Sequence, residues 1–138
     1  MSALTAERNT PSRDGDLLSL PVAAAKTLYA GGFGAVDANG RLTPGATATT
    51  LKGIGRVEAT ADNSLGADDA ITGTVRMGVF RWGNSASADL IAAADVGKIC
   101  YIVDDQTVAK TTGGGTRSPA GIIVDVDSLG VWVDSRPF

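Results

Sequence analysis

No stretch of this chain holds one hydrophobic period for long. Short apolar runs alternate with clusters of Gly, Asn, Asp and Ser, and eighteen glycines are spread along the length. A helix buries a face only when apolar residues recur at helical spacing over three turns or so, and these runs are too short for that. They are long enough for strands, and the clusters between them carry the residues that tight turns require.

Residues 20–36, "LPVAAAKTLYAGGFGAV", predict two strands, with Gly31 and Gly32 permitting a bend or bulge. "DANG" at 37–40 predicts a hairpin turn, and "LKGIGRVEAT" at 51–60 a curved strand. In that strand Leu51, Gly53, Gly55 and Val57 alternate with Lys52, Ile54, Arg56 and Glu58. "AITGTVRMGVFRW" at 70–82 reads as one long strand. Only "SASADLIAAADVG" at 85–97 looks helical, with Ser87 as its cap, Leu90, Ile91 and Ala94 facing inward and Gly97 ending it. Two hairpins follow, "KICYIV" to "TVAKT" around "DDQ", and "AGIIVDVD" to "GVWVD" around "DSLG". A flexible "TGGGTRSP" loop lies between them. The expected class is all-β, a small β-barrel or sandwich with one short helix. Residues 1–19 lack both periods and predict an extended N-terminal arm, leaving 20–138 as a single β domain.

The 138 residues suit one domain. Alanine, glycine, threonine and valine dominate, which predicts a core of small side chains and a motive for oligomerisation. Twelve Lys and Arg against fifteen Asp and Glu give a net charge of −3 with no basic stripe, which disfavours a nucleic-acid partner. No apolar run reaches the length of a membrane span, and the polar N-terminus does not read as a signal peptide, so no membrane is expected. One cysteine, Cys100, rules out an intrachain disulfide and fits cytoplasmic synthesis.

Histidine is absent, which removes Ser-His-Asp and Cys-His catalysis and the common zinc sites. The carboxylates Asp104, Asp105, Asp125 and Asp127 are the remaining candidates for metal or acid–base chemistry. Their placement in "DDQ" and at the end of "GIIVDVD" reads instead as turns and solvent-facing strand ends. No catalytic, metal or cofactor-binding residue is therefore expected, and the protein is not expected to be an enzyme. Trp82 and Trp132 are candidates for the core or for an oligomer interface.

The chain also resembles the small head-decoration, or capsid-cement, proteins of tailed bacteriophages. The resemblance runs through "AERNTPSRDGD", "PVAAAKTLYAGGFGAV", "GRVEATADNSLGADD", "VRMGVFRWGNS" and "DVGKICYIVDDQTVAKTTGGGTRSPAGIIVDVDSLGVWV". It implies a compact β fold, a homo-oligomer (a trimer foremost), and a place on the virion exterior against the major capsid protein after synthesis in the host cytoplasm. It transfers no catalytic residue. With that partner in mind, the arm residues Leu4, Arg8, Asn9, Thr10, Pro11, Arg13, Asp14 and Asp16 are the candidate capsid contacts. The alternative is an adhesion or host-binding module displayed on a virion, using the loops "TTGGGTRS" and "ADNSLGADD".

Overall fold

The computed structural model describes residues 2–12 and 15–136. Twelve strands appear in them: β1 (Leu17–Pro21), β2 (Lys26–Leu28), β3 (Phe33–Val36), β4 (Leu42–Pro44), β5 (Lys52–Val57), β6 (Ala61–Asn63), β7 (Thr72–Arg76), β8 (Val79–Trp82), β9 (Ile99–Ile102), β10 (Val108–Ala109), β11 (Pro119–Asp127) and β12 (Gly130–Asp134). They form two five-stranded antiparallel sheets, in the orders β1-β7-β5-β3-β4 and β10-β9-β11-β12-β8, with a separate β2-β6 ribbon. The fold is mostly β with minimal helix.

Neither sheet closes into a barrel. In each, the chain beside the two edge strands meets at one isolated parallel bridge, Val22 with Leu42 and Gly83 with Thr107, and no ladder continues from it.

The expected long strand over 70–82 is divided between the two sheets. Met77 N donates to Asp16 O at 2.7 Å, extending the β1–β7 pairing, whereas Gly78 O accepts from Ser135 N at 3.1 Å beside β12. Hydrogen-bond partners change between adjacent residues, and this exchange ends one sheet and begins the other. Strand β1 starts at Leu17, inside the expected arm. Its side chains alternate between exposed Leu17 and Ser19 and half-buried Leu18 and Leu20, the period of a strand with one wet face. The stretch 20–36 holds parts of three strands where two were expected, because β2 leaves the first sheet to pair with β6.

The expected helix at 85–97 is two separate 3-10 turns, Ser87–Asp89 and Ala93–Asp95. Ser87 lies inside the first turn at φ 56° and caps nothing, since the preceding Ala86 holds the cap position. Ile91 is buried, but Leu90 and Ala94 face solvent. One inward residue cannot anchor a helical face, so the segment stays in short turns. Gly97 ends the second turn at φ 90° and donates its N–H to Ile123 O.

Two clusters form the interior. One gathers Val22, Leu28, Leu42, Ile54, Val57, Ala61 and Val75 from the first sheet, the ribbon and their links. The other joins Phe33 and Ala35 of β3 to Trp82, Cys100, Ile102, Ile123, Val131 and Val133 of the second sheet. Phe33 meets Trp82 edge-on, with ring centroids 4.9 Å apart. Burial of each such side chain contributes about 1.5–3 kcal/mol, so this cluster is the principal bond between the sheets. Polar contacts reinforce the seam: Phe33 N donates to Asp105 O at 2.7 Å, and buried Ser118 links Ala48 O to Leu51 N.

Candidate functional site

The four carboxylates singled out in the C-terminal third occupy different places. Asp104 Oδ1 accepts Gln106 N at 2.9 Å, closing the β9–β10 turn. Asp125 Oδ1 accepts the next residue's N–H, Val126 N, at 2.8 Å. Asp127 holds the β11–β12 hairpin by accepting Leu129 N and Gly130 N through Oδ1 and Trp132 Nε1 through Oδ2. The Trp132 bond is the main cause that lowers the Asp127 pKa, and Arg81 at 3.8 Å adds to it. Asp105 differs from these: its carboxylate bonds no other described residue and lines an open cavity. Among the described residues, no group of three or more acidic or thiol side chains is placed to hold a metal ion.

The candidate capsid contacts that the structure describes fall in the N-terminal segment and at the start of the β body. Leu4 is 73% exposed, and Arg8, Asn9, Thr10 and Pro11 are exposed as well, in a segment without strand pairing. Arg13 and Asp14 lie outside the described residues. Asp16 belongs to the folded body through its bond to Met77 N, and its charge helps raise the Arg136 pKa behind the larger effect of Asp134.

The two tryptophans separate. Trp82, 4% exposed, is a core residue, and its Nε1 is buried without a bonding partner. Trp132 stands half-buried on the opposite face of the second sheet, in register with Asp125 and Arg81, with the Arg81 guanidinium 5.5 Å from its ring centroid. The loops named for adhesion are both braced. Asn63 Nδ2 donates to Ala23 O and Ala67 O at 3.0 Å, and Arg41 grips Asp69 through two bonds. The glycine loop expected to be flexible folds over Thr112 O, which accepts Thr116 N and Arg117 N, and Arg117 reaches Asp89 at 3.2 Å. Thr111 Oγ1, donating at 2.6 Å, is the main cause that lowers the Asp89 pKa.

One feature escaped the reading of the sequence. Two open cavities of about 290 and 270 Å³ lie side by side where the sheets meet, sharing Gly31 and Gln106 in their lining. Tyr29 and Asp105 flank one end, and Arg81 and Thr107 the other. The bend before β3, the end of β8 and the turn after β9 create this groove together, from three segments well apart in the chain. Its only local signal is an aromatic residue, Tyr29, two positions before a Gly-Gly pair. Gly31 adopts φ 87°, a left-handed conformation that suits glycine, and a Cβ there would meet no atom within 4 Å.

Searches against protein families, curated proteins and solved structures find no match to this chain.

Proposed function

We propose that this chain is a structural capsid-decoration protein of a tailed bacteriophage. In this reading it is a non-enzymatic homo-oligomer, a trimer foremost, made in the host cytoplasm and bound to the outer surface of the assembled major capsid protein shell. The observation that carries the reading is the N-terminal segment: residues 2–12 are exposed, unpaired, mixed in charge and tipped by Leu4, and they lead through Asp16 into an edge strand. Eleven extended residues reach about 36 Å, far enough to lie across a neighbouring subunit. Ordering such a segment costs conformational entropy, which contacts on the shell offset. Attachment through several copies multiplies modest affinities, and a clamp that binds only the assembled shell stabilises it by mass action. The inter-sheet cluster around Phe33 and Trp82 supports a sandwich as the finer description of the fold.

Removing residues 2–12 is the direct experiment, because it spares Asp16 and its bond to Met77. The truncated protein is expected to keep its β circular-dichroism spectrum and melting temperature, and to lose at least about tenfold in co-sedimentation with undecorated capsids. Equal occupancy at equal concentration would move attachment onto the β body.

A second reading, an adhesion or host-binding module on the virion, is favoured by Leu65, which is fully exposed at the tip of the braced 61–70 loop. Copy number separates the two: a decoration protein coats the head, whereas a receptor binder is present in few copies.

A further inference from the structure

We propose that the groove at the sheet junction is a saccharide-binding site that takes a neutral sugar by its ring face and a pair of adjacent hydroxyls. Asp105 is the distinguishing residue. Every other aspartate among the described residues has a bonding or charge partner within the chain, as turn lock, hairpin clasp or ion pair, but the Asp105 carboxylate has none. It is nevertheless half-buried, on the groove wall. The Gln106 carboxamide beside it also has no partner among the described residues, although the Gln106 backbone is bonded on both sides. Together they present acceptors and donors side by side, the pattern that vicinal hydroxyls satisfy. At the same end Tyr29 is 62% exposed, and its ring offers the apolar surface that the C–H face of a sugar covers.

The competing ligand classes fit less well. An extended peptide needs unpaired backbone groups at a strand edge. Here Gly31 N, Gly32 N, Phe33 N and Gly83 N are already bonded, to Val57 O, Tyr29 O, Asp105 O and Gln106 O. A phosphate needs converging cations. Arg81 alone supplies one, and it is committed to Asp127 and Trp132. What remains is an open pair of compartments with glycines in their lining, each slightly below the range of roughly 300–1,000 Å³ usual for small-molecule sites and suited to single sugar rings in line.

The inference uses no residue of the N-terminal segment and does not rest on the capsid reading. It is tested by titrating the full-length, isotope-labelled protein with maltotriose, lactose and diacetylchitobiose while following backbone amide shifts. At least one probe is expected to give saturable shifts at residues 29–32 and 105–107, with a dissociation constant on the order of 1 mM. Tyr29→Ala and Asp105→Asn should each weaken that binding at least tenfold, and Leu65→Ser, on a remote loop, should leave it unchanged. All three substituted side chains project from the surface or groove wall, so the fold is not at stake, and unchanged amide spectra away from the site check this. The proposal is overturned if no probe produces saturable shifts. It is equally overturned if both groove variants bind as the parent does, or if an extended hexapeptide shifts the same residues more strongly than any sugar.

Discussion

Among the described residues, Asp95 is the aspartate most deeply enclosed by the fold. It is buried, its Oδ2 accepts Ala92 N at 2.9 Å, and Lys98 and Lys110 stand 3.5 and 3.8 Å from Oδ1. The Ala92 bond, more than either lysine, lowers its pKa from the ordinary 3.8. A carboxyl that is more acidic in the folded state adds stability above its unfolded value, and that contribution disappears as pH falls through the lower folded value. Asp95→Asn should therefore lower the urea midpoint at neutral pH, and the gap from the parent should narrow once pH drops well below 3.8. A gap of constant size across that range would mean that the side chain acts by shape alone. The same logic explains why the acidic residues of the C-terminal turns were legible beforehand. An Asp that bonds the backbone one to three residues away leaves a local signature, as Asp104 and Asp127 do. Asp105, whose surroundings come from distant chain, leaves none.

At the scale of elements, β5 shows where alternation fails as a guide. Ala35 pairs with Gly53 and Gly34 with Gly55, so Ile54 is the extra residue of a bulge. Ile54 and Val57, assigned by alternation to opposite faces, thus enter the same cluster. The hairpins were legible because their turns are chemical: Asp37 Oδ1 accepts both Asn39 N and Arg41 N around Gly40. The division between β7 and β8 was not, because an uninterrupted apolar pattern does not record which partner each residue bonds. Ribbon strand β6 was missed because three residues carry too little periodicity to detect. Gly53 also faces β11 of the second sheet at close range. A Cβ there would stand 2.5 Å from Ala120 O and 2.8 Å from the Phe33 ring. Gly53→Val is expected to cost about 1–3 kcal/mol or more, as overpacking does, with loss of near-ultraviolet signal from Phe33 and Trp82. A variant as stable as the parent would show that the sheets separate freely.

Over the whole molecule, the second sheet can be followed through its one thiol. Cys100 is fully enclosed, and burial pushes its pKa from 9.0 up to about 12. A disulfide reagent should label it only as fast as the surrounding cluster opens, and urea should speed labelling in step with unfolding. The thiol's linkage runs opposite to that of Asp95. Its contribution is complete below 9.0 and is lost as pH rises towards about 12, because the unfolded chain ionises first. Prompt labelling of the native protein would place Cys100 nearer to solvent than the fold implies. The exchange of partners at Met77 and Gly78 also has a temporal side. Every strand of the first sheet, and the ribbon beside it, precedes that point in the chain, and every strand of the second follows it. A ribosome that has released the chain as far as Gly78 has delivered the whole of one sheet and none of the other. At that moment Phe33 and Ala35 lack the residues that will cover them, and the wet apolar face of the nascent protein is closed in steps, from Trp82 first to Val133 last.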